Sequence, residues 1–162
     1  MIMIAGSLGV FFGAWLANQL AKRGYTDSYV RAIFLTAAAT IIPGIYAPLA
    51  GSAELTLLIL WPTMVLGGSY LGVMAVSFVV ITPNQIRGQM TALYIFVTNI
   101  MGMAIGASVL AAFTDFLYQD DMMLHYSIAT ANAIFYPAAT LLFWYCLPAY
   151  RRSVEEAGNW KL

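Results

Sequence analysis

Apolar residues dominate five long stretches of the chain, and short polar segments separate them. These stretches are close to or longer than the roughly 20 residues that a helix needs to cross a bilayer. We therefore expect an all-α integral membrane protein, with a transmembrane helical domain over residues 1–150 and a polar tail over 151–162. The five transmembrane helices are predicted at about residues 2–21, 32–50, 55–81, 89–113 and 126–147.

The composition agrees with a membrane protein, because 62% of the 162 residues are hydrophobic and 9% are charged. The mean hydropathy is +0.80, and an ordinary soluble domain carries roughly 25% charged residues. The lipid bilayer is thus an expected partner of the chain. A lone Cys146 and a lone His125 exclude a disulfide framework and leave no metal-binding spacing. We expect neither a metal site nor a cofactor.

The charged residues sort by loop, which gives the five helices an orientation. Five spans place one group of basic residues on one side of the membrane: Lys22, Arg23, Arg31, Arg87, Arg151, Arg152 and Lys161. Four acidic residues fall on the opposite side: Glu54, Asp115, Asp120 and Asp121. Basic loops face the cytoplasm. The pattern therefore predicts an external N-terminus and a cytoplasmic C-terminal tail.

The middle of each apolar stretch holds only neutral polar side chains that could bind a ligand. Tyr70 lies near the middle of the third stretch, beside a cluster of glycines. Tyr94 and Thr98 lie four residues apart in the fourth stretch, so they share one helical face. If these faces border a cavity, the three residues are candidate ligands of a substrate. If they do not, the side chains pack against neighbouring helices.

A second face of the fourth stretch carries Asn99, Gly102 and Gly106. Small residues let two membrane helices approach closely, and an amide can bond across such a contact. Helix packing is the first interpretation of this face, with Gly102 and Gly106 at the contact. The alternative is that Asn99 faces a wet cavity and binds substrate.

No catalytic set occurs in the sequence, since no nucleophile is paired with a histidine and no phosphate-binding loop is present. We therefore do not expect an enzyme. The few basic residues lie in short loops, where topology explains them. Binding to nucleic acid is not expected.

Two segments resemble the major facilitator superfamily of transporters. Residues 13–24, GAWLANQLAKRG, resemble its cytoplasmic loop signature, which has a glycine, a small apolar stretch, an acid and a basic cluster. Asn18 stands at the acidic position, and Lys22 and Arg23 form the basic cluster. In that family these positions lock neighbouring helix ends in one gating state. The resemblance thus implies that Asn18, Lys22 and Arg23 belong to a gating loop.

The second segment, PNQIRG at residues 83–88 followed by Ala92, Asn99, Gly102 and Gly106, is similar to the junction of the tenth and eleventh helices in such transporters. The spinster-like branch is the nearest. This register implies helices eight to twelve, a partial C-terminal half of a twelve-helix fold. It also implies a site for a small organic solute or lipid-like molecule, formed with a missing N-terminal half. The first, third and fourth helices would border that site, with Tyr70, Tyr94, Thr98 and Asn99 as substrate ligands.

We expect the chain to lie in a bacterial inner (plasma) membrane, with Arg87 at the cytoplasmic gate of the transporter. The alternative for Arg87 is simple snorkelling to lipid phosphate. For the whole chain, the competing hypothesis is a standalone small helical membrane module that oligomerises as a scaffold or channel.

Overall fold

The computed structural model describes residues 2–118 and 123–159, which form helices and no strand. Five helices in these residues are long and apolar enough to cross a membrane, as predicted. Asp120, Asp121 and Lys161 of the charge pattern lie outside the described residues. We number the spans one to five in chain order: Met3–Lys22, Ser28–Leu49, Ala53–Val80, Asn84–Asp115 and Leu124–Gly158.

The first two helices are joined by a tight glycine turn. α1 covers Ile2–Lys22, and Gly24 follows it with a φ of 85°. The amide of Gly24 donates to the carbonyl of Ala21, and the next amide donates to that of Leu20. These are the two hydrogen bonds of a Schellman cap, which favours glycine at this position. α2 covers Ser28–Tyr46 and so begins earlier than the predicted residue 32.

α1 packs closely against α3, which covers Ala53–Val80. A methyl group on Gly68 would lie 2.7 Å from the carbonyl oxygen of Gly6. Methyl groups on Gly9 and Gly13 would overlap the backbone of α3. Gly6, Gly9 and Gly13 recur every three or four residues, as small residues do at close contacts between membrane helices, and the close approach forms at Gly9 and Gly13. A core of buried side chains continues the contact between α1, α2 and α3: Ala17, Leu20, Ala32, Ile33 and Val73.

The fourth span is the least covered part of the bundle. It contains α4 (Arg87–Asn99), a π-helical segment (Ile100–Gly106), α5 (Ala107–Ala112) and a second π-helical segment (Phe113–Tyr118). None of the residues of α4 is buried. π-Helical turns are rare and frequently occur at functional sites.

The last helix is longer than predicted. α6 covers Leu124–Asn159, so the predicted end at residue 147 is wrong. Pro148 removes one intrahelical hydrogen bond but does not stop the helix. One reason is that the next turn is held by packing, since Tyr150 is buried and its hydroxyl donates to the carbonyl of Ser77 at 3.1 Å. The polar tail predicted from residue 151 is therefore helical as far as Asn159.

The interhelical contacts bring the described basic loops to one end of the bundle. Arg151 of α6 contacts the turn between α1 and α2, and Tyr150 contacts the end of α3. We call this the basic end, and it carries Lys22, Arg23, Arg31, Arg87 and Arg151. The opposite end, with Glu54 and Asp115, is the acidic end.

Candidate functional site

A cavity of about 340 Å³ lies between α2, α3, α4 and α6. Its volume is at the small end of the roughly 300–1,000 Å³ typical of small-molecule sites. We call it the tyrosine cavity, because three tyrosines contribute to its wall. The lining residues are Ile33, Ala37, Thr40, Thr63, Gly67, Tyr70, Met74, Tyr94, Thr98, Tyr136, Ala139 and Phe143.

Stripes of residues at helical spacing form each wall of the tyrosine cavity. Residues three or four apart lie on one face of a helix. On α3 the stripe runs through Thr63, Gly67, Tyr70 and Met74, and on α2 it starts at Ile33. Because several faces of each helix are apolar, the sequence pattern alone does not show which stripes meet. The structure shows which helix faces meet at the cavity.

Three of the four predicted substrate ligands meet in this cavity, namely Tyr70, Tyr94 and Thr98. Asn99 does not. Its side-chain Nδ2 donates to the carbonyl of Ile95 at 2.8 Å, within the same helix. Successive residues of a helix point about 100° apart, so Thr98 and Asn99 face different directions. Of the two faces of the fourth span, the one with Tyr94 and Thr98 borders the cavity.

The polar groups of the cavity differ in whether they are already paired. The hydroxyls of Thr40 and Thr63 donate to carbonyls in their own helices, at 2.7 and 2.8 Å. Within the described residues, the hydroxyls of Tyr70, Tyr94 and Tyr136 have no hydrogen-bond partner. These phenols can donate to or accept from a bound molecule.

The face of Asn99, Gly102 and Gly106 contacts no other helix in the described part of the chain. A methyl group on Gly102 would meet nothing within 4 Å. On Gly106 it would meet only the carbonyl oxygen of Met101, from its own helix, at 3.7 Å. The predicted contact through these glycines is thus not formed within this chain, because α4 has α3 on one side and no helix on this side.

Asn132 and Tyr136 of α6 are not among the ligands predicted from the sequence. Asn132 Nδ2 donates to the carbonyl of Gly44 on α2 at 2.8 Å. That carbonyl would normally accept from the amide of residue 48, but Pro48 has no amide hydrogen. The Tyr136 ring lies against the same glycine, where a methyl group would overlap it. Asn132 thus joins α6 to α2, and Tyr136 continues this contact into the cavity wall.

Asp27, which the charge pattern left unassigned, is the centre of a buried ionic cluster at the basic end. Its side chain is 0% exposed, whereas Arg31 and Arg151 are partly exposed. One carboxylate oxygen accepts from Arg31 Nε at 3.3 Å. The other accepts from Nη2 of Arg31 at 3.1 Å and of Arg151 at 3.2 Å. The spacing of Asp27 and Arg31, four residues apart, was the available sequence signal.

The Asp27 cluster joins two helices through one negative charge. Burial raises the pKa of Asp27, but the hydrogen bonds from Arg31 and Arg151 and the charge of Arg31 outweigh it, so the pKa is lowered. Asp27 is therefore ionised at neutral pH. The Arg31 guanidinium also lies 4.1 Å from the centre of the Tyr25 ring, a cation–π contact. The cluster fixes the start of α2 to α6.

The four predicted gating residues all lie toward the basic end. Asn18 borders a shallow groove of about 360 Å³ between α1, α2 and α3. Lys22 and Arg23 are exposed and form no salt bridge within the described residues. Arg87 is half-buried, and its Nε donates to the carbonyl of Thr82 just after α3, at 3.0 Å. Arg87 therefore ties the start of α4 to the end of α3.

A larger groove, of about 620 Å³, lies between α1 and α3 near the acidic end. It contains none of the predicted ligands. Its apolar lining is strongly exposed, with Met3 at 86% and Ile4 at 60%. Such a surface is typical of a helix face that contacts lipid, so the tyrosine cavity is the better candidate site.

The described residues hold no group of three His, Cys, Asp or Glu side chains that could bind a metal ion. No protein family model, curated protein or solved structure matches the chain. Membership of the major facilitator superfamily therefore stays a prediction that depends on the motifs at residues 13–24 and 83–106.

Proposed function

We propose that this chain forms part of a secondary-active transporter that moves a small organic solute or lipid-like molecule by alternating access. The observation that carries the proposal is the tyrosine cavity, which gathers Tyr70, Tyr94 and Thr98 in a bundle of five helices long enough to cross a membrane. Transporters typically hold their substrate near the middle of the bilayer, between helices. The two loop motifs support the same reading.

In this proposal the basic end faces the cytoplasm of a bacterial inner membrane, because basic loops are retained on that side. A fluorescent protein fused after residue 162 folds and fluoresces only in the cytoplasm. We expect fluorescence from this fusion, while the same domain fused before residue 1 stays dark. The reverse pattern would overturn the orientation.

The natural partner is the N-terminal half of the transporter. The uncovered face of α4 supports this, because none of its residues is buried and Gly102 has open space around it. A helix of the other half would lie there. Vesicles that contain only this chain are expected to show no solute uptake, and uptake by them would contradict the proposal.

The cavity assignment can be tested with two adjacent cysteines. Thr98→Cys and Asn99→Cys are introduced separately after Cys146, which is exposed, is changed to Ser. Each variant is expressed in the cells that encode the chain, so that any natural partner is present. A membrane-impermeant thiol reagent is then added to right-side-out or inside-out vesicles.

Alternating access predicts that Thr98→Cys is labelled from both sides and that Asn99→Cys is labelled much more slowly. Phe96→Cys is a control outside the cavity, since Phe96 is 63% exposed in this chain and does not line the cavity. Labelling of Asn99→Cys but not Thr98→Cys would reverse the assignment. Labelling of Thr98→Cys from one side only would contradict transport.

The second candidate is a standalone module that oligomerises as a scaffold or channel. The same uncovered face of α4 favours it, since a second copy could also cover Asn99 and Gly102. This candidate predicts a stable homo-oligomer of defined size in nanodiscs, measured by mass photometry. The transporter predicts a single copy there, and coding sequence for the preceding helices immediately upstream in the genome.

A further inference from the structure

We infer that the tyrosine cavity takes an uncharged, mainly apolar molecule with one hydroxyl or carbonyl group, and that this molecule enters from the bilayer between α4 and α6. The inference rests on the proposed function for the location of the site, and it goes further by naming the class of ligand and its route.

The absence of charge in the wall excludes a charged ligand. None of the described residues that line the cavity is an acid, a lysine, an arginine or a histidine. A charge placed deep in a low-dielectric site needs an opposite charge or several aligned dipoles. Asp27, the buried acid nearest in the chain to the α2 stripe, already has two arginine partners. The wall therefore suits a neutral molecule.

The unpaired phenols specify a polar group on that molecule. The hydroxyls of Tyr70, Tyr94 and Tyr136 have no partner in the described residues. A pure hydrocarbon that filled the cavity would take water away from these hydroxyls and leave them unsatisfied, which is unfavourable. An alcohol or carbonyl oxygen can bond them, and apart from three threonines the remaining lining is apolar.

The route of entry follows from which helices of the cavity wall are joined by contacts and which are not. The α2 wall is closed, since Ile33 is 1% exposed and Thr40 is 6% exposed. α6 is joined to that wall near both ends, through Asp27 and through Asn132. By contrast, the described residues of α4 pack on α3 and have little or no contact with α6 along the cavity. Within the described residues, the contacts of the fourth span with α6 lie toward the acidic end, where Thr114 donates to Ser127 at 3.1 Å.

The gap between α4 and α6 therefore opens sideways toward lipid. The π-helical segment Ile100–Gly106 begins two residues after the cavity residue Thr98. A π-helical turn has wider hydrogen-bonded rings than an α-helix and marks a place where the helix geometry is locally changed. A molecule dissolved in the bilayer can pass this gap without crossing the polar loops.

The test uses two photoreactive probes that share one alkyl chain, with a neutral head group in one and an anionic head group in the other. One is decan-1-ol with an alkyl diazirine in its chain, and the other is the matching decyl sulfate. Each is irradiated with the full chain in lipid nanodiscs, and labelled residues are mapped by mass spectrometry. We expect the alcohol to label cavity residues and excess unlabelled decan-1-ol to suppress this labelling, while the sulfate labels only the ends of the bundle.

Matched variants locate the site. Ala139 lines the cavity, whereas its neighbour Ala138 is exposed and does not. Ala139→Phe is expected to lower cavity labelling at least fivefold, and Ala138→Phe to leave it unchanged. Should Ala139→Phe fail to fold, Tyr136→Phe keeps the shape and removes one hydroxyl. It is expected to weaken competition by decan-1-ol about 3- to 10-fold and competition by decane not at all.

Equal labelling of the cavity by the sulfate would overturn the inference. So would unchanged labelling in Ala139→Phe together with unchanged competition by decan-1-ol in Tyr136→Phe. Failure of the transport proposal is detected by a separate measurement, the labelling of Thr98→Cys from the two sides of the membrane. Specific labelling by the alcohol, with Thr98→Cys reached from one side only, supports the ligand class and contradicts transport. Access from both sides without labelling by the alcohol supports transport and contradicts the ligand class.

Discussion

Two walls of the tyrosine cavity are held in different ways. On one side, α2 and α6 are joined by the Asp27–Arg151 salt bridge at the basic end. Toward the acidic end, Asn132 joins the same two helices through the carbonyl of Gly44. On the other side, α4 has no buried residue. The Arg87–Thr82 hydrogen bond ties α4 to the loop after α3, and the ring of Tyr94 contacts that of Phe78 on α3, with centroids 5.4 Å apart.

This difference indicates that the two sides of the cavity differ in mobility. Polar contacts between membrane helices are typically modest, about 0.6–2 kcal/mol each, but two of them at separate heights keep a helix pair in one register. A helix held by few contacts opens at lower free energy. We therefore expect α2 and α6 to behave as one body and the fourth span to move against it.

The largest expected effect comes from breaking the ionic cluster. Asp27→Asn removes the only negative partner that Arg31 and Arg151 have in the described residues. Hydrogen bonds to charged groups contribute about 1.5–3 kcal/mol. We expect the unfolding free energy in mixed micelles to fall by about 3 kcal/mol.

The control for this variant is Glu155→Gln, an exposed acid near the same end of α6. It should change the unfolding free energy by less than about 0.5 kcal/mol. If Asp27→Asn is as stable as this control, the cluster does not hold α2 to α6.

Two glycine substitutions compare the walls directly. Gly44→Ala places a methyl group against the Tyr136 ring, and Gly102→Ala places one in open space. Overpacking costs about 1–3 kcal/mol, so we expect Gly44→Ala to lower the unfolding free energy by about 2 kcal/mol. Gly102→Ala should be neutral or slightly stabilising, since alanine favours helix. Equal losses for both variants would show that the fourth span is packed as tightly as α2.

A smaller effect is expected from Asn132→Ala. This change leaves the Gly44 carbonyl without the donor that replaces the missing amide of Pro48. The loss should be about 1 kcal/mol. Combined with Gly44→Ala it should be less than additive, because the two residues share one contact. Full additivity in this double-mutant cycle would mean that the two contacts are independent.

The smallest effect near neutral pH concerns protonation of Asp27. Its pKa is lowered below the usual 3.8, so the folded state binds this proton more weakly than the unfolded state does. The stabilisation is therefore complete well above pH 3.8 and is lost as the pH falls through the lower pKa of the folded state. The thermal midpoint of the wild type should drop further than that of Asp27→Asn between pH 5 and 3. Parallel curves would contradict the ionic role.

Much of this fold could be predicted from the order of apolar and polar residues. Five spans follow from the length of the apolar runs, and the close approach at Gly9 and Gly13 follows from glycines that a soluble helix would not favour. The end of the last helix could not be predicted, because a proline such as Pro148 usually ends a helix. The contact between Tyr150 and Ser77 shows why the helix continues.

The candidate site could be predicted in part. Tyr70, Tyr94 and Thr98 were identified as neutral polar side chains near the middle of their spans, and they line one cavity. Tyr136 was not identified as a cavity residue, since its role depends on α6 facing α2. The periodicity of apolar residues does not show which helix faces pack against each other. The role of Asp27 could not be predicted, because the distribution of charges among the loops indicates which side of the membrane a loop faces. It does not show that one acid is buried between two arginines.

The central claim is that the fourth span moves against a fixed α2–α6 wall, and electron spin resonance distances test it most directly. Spin labels on Ile42 and Phe135 report on the fixed wall, and labels on Met103 and Phe135 report on the opening. All three side chains are exposed, and Cys146 is changed to Ser. We predict a narrow Ile42–Phe135 distance distribution, and a broad Met103–Phe135 distribution that narrows with decan-1-ol. Two equally narrow distributions, unchanged by the alcohol, would contradict the account.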